Sequence, residues 1–167
     1  MALPPTRSSN ADSPHRSVLW RRLRTATRLR SRDYRLLGEA MMALLRARRL
    51  SSLPFRELAP RLGGAVAAGT APAPQPALTD RQRARVAGVR WAIRVVEPAM
   101  PFRTVCLQQA IAARTMLARD GIASVLHLGV GRDPAAALHA HAWLDAGDMK
   151  VTGYPLDPLL TEVARFT

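Results

Sequence analysis

The sequence predicts an α+β fold, with helices in the first two thirds and a small antiparallel sheet at the end. Three observations predict it. Apolar residues recur at helical spacing up to about residue 97 and again from Thr104 to Arg119, and the period changes to alternation after Gly121. Prolines and glycines punctuate the change at Pro98, Pro101 and Gly121.

Taken in order, residues 1 to about 15 are rich in Pro and Ser with no apolar period, which predicts a disordered tail running into a basic arm up to residue 32. Between Arg16 and Arg49, leucines and methionines such as Leu36, Leu37, Met41, Leu44 and Leu45 recur among arginines. The better helix there spans Asp33 to Arg49, with Asp33 as its N-cap. Leu53 to Leu58 reads as a turn into a short helix that ends at Gly63-Gly64, and Ala65 to Pro76 as a flexible connector. Leu78-Thr79-Asp80 starts a helix whose stripe is Val86, Val89, Ile93 and Val96, and Pro98 stops it. Thr104 is the expected N-cap of the next helix, which places Cys106 in its first turn and ends it near Gly121. Leu126 to Val130, Leu138 to Asp145 and Met149 to Thr152 read as strands, and a last helical turn is expected near Phe166. Residues 33–167 thus form one domain, with a helical part at about 33–97 and a second part, about 98–167, that carries the candidate chemistry.

The composition supports one folded unit. In 167 residues, 48% are hydrophobic, which is enough for a single core. The net charge is +13, and Lys150 is the only lysine. Residues 1–50 hold twelve arginines against Asp12, Asp33 and Glu39, a net of +9. Such a charge raises nucleic-acid binding as a rival reading, but interleaved aromatics and a recognisable binding module are missing, so a solvated basic arm is the simpler account. One cysteine cannot form an internal disulfide, and no stretch approaches the roughly 20 apolar residues of a membrane span. The expected location is the cytoplasm, without stable membrane insertion.

The single cysteine is the residue to explain. A thiol attacks a carbonyl only as thiolate, and an unperturbed pKa of roughly 8.5 leaves little of it at neutral pH. A helix N-terminus and a nearby imidazole both favour the thiolate, and Cys106 followed by His141 on a strand offers both. First-turn N–H groups, with Gln108 or Gln109, would serve as oxyanion donors. Burial as a small hydrophobe is the plainer role of a lone cysteine. His139, His141, Trp143 and Asp145 share one strand face. A metal there would need a further ligand from elsewhere, and no zinc-type spacing with cysteine is present, so no cofactor is expected.

The runs Pro101-Phe102-Arg103-Thr104-Val105-Cys106-Leu107-Gln108-Gln109-Ala110, Leu126-His127-Leu128-Gly129-Val130 and His139-Ala140-His141-Ala142-Trp143-Leu144-Asp145 resemble the transglutaminase-like leader peptidase of lasso-peptide biosynthesis. The resemblance covers roughly Asp33 to Phe166, and its specific part is the C-terminal half. It implies a papain-like or transglutaminase-like fold with the nucleophile helix packed on the sheet, Cys106 as nucleophile and His141 as base. It also implies a ribosomally made precursor peptide as substrate, a separate leader-binding protein and a macrolactam-forming synthetase as partners. Amine transfer through the same thioester is the alternative reaction. Relatives carry an acid just after the strand that follows His-Ala-Trp, where this chain reads Val151-Thr152-Gly153-Tyr154 without a carboxylate. Asp145 sits four residues from His141 on one strand, about 13 Å away, while the chain after the third strand returns beside His141, which favours Asp157 as the orienting acid over Asp145 or no acid at all.

Overall fold

The computed structural model describes residues 30–67, 70, 75–132 and 137–167. The expected tail and most of the arm lie outside the described residues, as do parts of the connector and of the loop between the first two expected strands. Packing divides the chain between Tyr34 and Arg35. Of the first unit, the described residues include only 30–34, where the first helix begins; the rest of that helix, the other helices and the sheet belong to the second, Arg35–Thr167.

Four helices and five strands are described: α1 (Ser31–Ser51), α2 (Phe55–Leu58), β1 (Ala65–Ala67), α3 (Asp80–Val96), α4 (Cys106–Arg119), β2 (Val125–Arg132), β3 (Leu138–Ala146), β4 (Met149–Thr152) and β5 (Thr161–Phe166). The sheet is antiparallel throughout, in the order β1-β5-β2-β3-β4. The fold class is therefore α+β, as the change of period predicts.

Two segments differ from expectation. The final turn is strand β5, which pairs with both β2 and β1, so Phe166 is buried in the core as a strand residue. Thr161 to Phe166 alternates exposed and covered positions, but six residues are too few to separate one strand from one helical turn by pattern alone. The start of the connector is strand β1, an edge partner of β5. Its two-glycine approach allows Gly63 a φ of +106°, and Gly64 exchanges backbone hydrogen bonds with Thr167 at 3.1 and 3.2 Å.

The core lies between the helices and one face of the sheet. Helix α3 is capped by Thr79, whose side chain accepts from the Gln82 N–H while Gln82 reaches back to the Thr79 N–H, and it buries Val86, Val89, Ala92, Ile93 and Val96. Helix α4 is small on its inner side, with Ala110, Ala112 and Ala113 fully buried, so it lies close against β2, β3 and β4. Leu126, Ala142, Leu144, Ala146 and Val151 complete the cluster from the sheet. Arg85 ties three helices together, bonding Glu39 of α1 at 2.9 Å and Asp120 at the end of α4 at 2.6 Å.

Candidate active site

Cys106 is the first residue of α4, half-buried against the edge of the core. The N-cap is Val105, one residue later than the expected Thr104, and valine has no side-chain acceptor. The first-turn amides of α4 therefore carry no side-chain cap, which leaves donors and the positive helix end at the thiol. Thr104 is occupied elsewhere: its hydroxyl donates to Glu97 Oε1 at 3.0 Å. This bond joins the residue two before the cysteine to the 3-10 turn Glu97–Ala99 that ends α3.

The two glutamines hold this corner together, and their amide groups already have partners. Gln108 Oε1 accepts from the Val105 N–H at 3.3 Å while its Nε2 donates to Ser51 Oγ at 3.0 Å, which pins the start of α4 to the end of α1. Gln109 Nε2 donates to Glu97 Oε1 at 2.7 Å and lies 3.4 Å from Thr104 Oγ1. Both glutamines are thus tied to neighbouring elements, and Gln109 Nε2 meets two acceptors while Gln108 Nε2 meets one. The first-turn backbone N–H groups are further donors at the thiol.

His141 lies on β3, opposite Gly129 of β2. The β2–β3 register puts His139, His141, Trp143 and Asp145 on one face, as expected, while Ala142, Leu144 and Ala146 turn into the core under the helices. His141 Nε2 lies 2.7 Å from the carbonyl oxygen of Gly153. A carbonyl only accepts, so Nε2 carries the hydrogen and Nδ1 keeps the lone pair. Trp143 stacks on this ring at 6.4 Å between centroids and on His127 at 5.1 Å. Helix α4 packs on the strand that carries His141, and no hydrogen bond joins Cys106 to His141 among the described residues.

Asp157 makes no hydrogen bond to His141 among the described residues; the ring's partner is the Gly153 carbonyl. Asp157 is exposed, and its carboxylate accepts from the Leu159 N–H at 2.8 Å, a local turn bond. The strand β4 does return beside β3, but the atom it delivers to His141 is the Gly153 oxygen. Gly153 has a φ of +81°, and a Cβ there would collide with the Ala142 carbonyl and lie 2.7 Å from Trp143 Cβ. Only glycine fits so close to β3. The stretch from Val151 to Tyr154 offers this contact a backbone oxygen and no carboxylate.

Asp145, the other candidate acid, serves a different network. Its two oxygens accept from the Tyr154 hydroxyl at 2.6 and 2.8 Å, and its Oδ2 lies 3.4 Å from His127 Nε2. His127 Nδ1 bonds Glu162 at 2.9 Å, and Arg165 bonds both Glu162 oxygens at 2.9 Å. Burial, with the bond to Asp145 and its charge added, raises the Tyr154 phenol well above its ordinary value, so it stays a donor. Burial pushes the Glu162 carboxyl up, but the bonds from His127 and Arg165 outweigh it and hold it below the ordinary range.

Two cavities flank the start of α4. One, of about 540 Å³, is lined by Leu45, Arg48, Arg49, Phe102 and Gln108 among others. The other, of about 750 Å³, is bounded by Arg90, Arg94, Glu97, Gln109, Lys150 and the Gly153 segment. No described helix is long and apolar enough to cross a membrane.

Neither a curated protein nor a solved structure matches this chain. A family model does, over residues 49–165, from the end of α1 through β5, a span that contains Cys106, His141 and Gly153. Members of this family are typically enzymes with cysteine-based catalysis and include both cysteine peptidases and transferases. The chain belongs to the transglutaminase-like superfamily.

Proposed function

We propose that the protein is a cysteine peptidase that removes the leader peptide from a ribosomally made lasso-peptide precursor, acting in the cytoplasm beside a separate leader-binding protein and a macrolactam-forming synthetase. The observation that carries the reading is the thiol of Cys106 at the uncapped start of α4, in a chain of a superfamily built on cysteine catalysis. The Cys-Leu-x-Gln-Ala and His-Ala-Trp runs favour peptide cleavage within that superfamily.

In this reading His141 Nδ1 takes the thiol proton, and the thiolate sulfur adds to the carbonyl carbon of the scissile amide. First-turn N–H groups of α4 stabilise the oxyanion, and the imidazolium returns the proton to the departing amine, leaving a thioester on Cys106. His141 then removes a proton from water, the hydroxide displaces the sulfur, and the acid product leaves. The Gly153 carbonyl keeps the imidazole in the tautomer that these steps need. It carries no full charge, so it stabilises imidazolium less than a carboxylate would.

The test is mass spectrometry of the precursor after incubation with the enzyme and the leader-binding partner. Cleavage at one amide, lost in Cys106→Ala with its fold retained, is the expected result. The isolated enzyme is expected to be slow, because binding energy from the partner is missing. Unchanged cleavage by Cys106→Ala would overturn the reading, and incorporation of a labelled amine in place of water would make the protein a transferase.

A further inference from the structure

We propose that the two cavities reaching the start of α4 at Gln108 and Gln109 are subsites for acidic side chains, so that the peptide cut at Cys106 carries Asp or Glu on both sides of the scissile amide. The proposal rests on Cys106 being a peptidase nucleophile, and it names the substrate class that this nucleophile meets.

Several cations of the described residues are already neutralised. Arg85 pairs with Glu39 and Asp120, Arg83 with Asp148, and Arg165 with Glu162. Arg48, Arg49, Arg90, Arg94 and Lys150 make no ion pair among the described residues, and all five line the two cavities that reach the start of α4 at Gln108 and Gln109. The first cavity holds two of these cations and no carboxylate. The second holds three against Glu97 alone, whose Oε1 already accepts from Thr104 and Gln109.

Neutral groups hold several of these cations in place. The Arg48 guanidinium lies 4.3 Å from the centre of the Phe102 ring, and the Lys150 ammonium 4.9 Å from that of Tyr154. Arg90 donates to the Lys150 carbonyl at 3.3 Å. An aromatic face or a carbonyl fixes a cation without cancelling its charge, so a carboxylate arriving in either cavity meets a cation that is positioned and unpaired. Arginine forks bind carboxylates through two parallel bonds, which gives geometry as well as attraction. A peptide with Lys or Arg at the same places would be repelled.

The test reads occupancy of the site without requiring cleavage. Cys106 alkylation by iodoacetamide is followed by mass spectrometry in the full chain, with a short synthetic peptide that has Glu on both sides of a central amide and with its Gln counterpart. The Glu peptide is expected to slow alkylation by about tenfold at low salt, with protection fading as salt shortens the screening length, and the Gln peptide to protect little. Arg48→Glu with Arg94→Glu should remove the protection. Arg81→Glu, on the first turn of α3 and roughly 20 Å along the helix from Arg94, should keep it. Equal protection by both peptides, or equal loss in Arg81→Glu, would overturn the proposal, as would protection by a single-stranded oligonucleotide where the Glu peptide gives none. Protection by the Glu peptide with no peptide cleaved under any condition would leave the subsites standing and refute the peptidase reading.

Discussion

The network around His127 and the surroundings of Cys106 differ in how their charges are spent. On the far side of Trp143, Arg165, Glu162, His127, Asp145 and Tyr154 form one chain in which every charged side chain has a partner within 3.4 Å. Around Cys106 the helix start is uncapped, and the neighbouring cations rest on rings and carbonyls. A saturated network fixes structure, because each group is stabilised only in one arrangement. An unsaturated one is free to be completed by a ligand. Asp145 thus holds the sheet and the Gly153-Tyr154 segment, and in the proposed function the surface around Cys106 is left for substrate.

The largest effect that would break this division lies at Gly153, where the two regions meet. Gly153→Ala forces a Cβ toward Ala142 and Trp143 at positive φ, so a loss of about 2–4 kcal/mol is expected in urea unfolding. A variant as stable as wild type would mean that the Gly153 carbonyl is not held against β3.

Tyr154→Phe sharpens the comparison from the saturated side. It leaves Asp145 short of its strongest donor and should cost about 1–2 kcal/mol, with a mixture of His141 tautomers in nitrogen NMR spectra. Asp157→Ala removes only a turn bond at the surface, so its stability should stay within about 0.5 kcal/mol of wild type and the tautomer should be unchanged. A tautomer shift in Asp157→Ala alone would return the orienting role to that carboxylate.

The smallest effect concerns acid. Glu162 titrates below its ordinary value in the folded chain, so its contribution is complete above the unfolded carboxylate range and is lost as pH falls through the folded value. Thermal melts of Glu162→Gln should accordingly show a shallower loss of stability below about pH 4.5 than wild type. Parallel curves would show that Glu162 is not part of the acid response.

Much of this was legible in the residues. The change from helical to alternating period located α3, α4, β2, β3 and β4, and it placed Cys106 in a first turn and His141 on a strand, as the structure has them. What stayed hidden has physical causes. Strand β5 is stabilised by partners far away in sequence, β1 and β2, and so has no local signature. The group on His141 is a backbone oxygen, which no residue type announces. The bonds of Gln108 and Gln109 stayed hidden because their acceptors, Ser51 and Glu97, come from other elements. The cations Arg90, Arg94 and Lys150 meet Gln109 of α4 in one cavity only when α3 and β4 pack on α4.

The pairing of Cys106 with His141 is the central claim, and the rate of iodoacetamide alkylation near pH 6 tests it most directly, with and without His141→Ala. An imidazolium that holds the thiolate makes the wild-type thiol react faster than an ordinary cysteine, by about tenfold or more, and His141→Ala should lose most of that advantage. Equal rates in the two proteins would contradict the account.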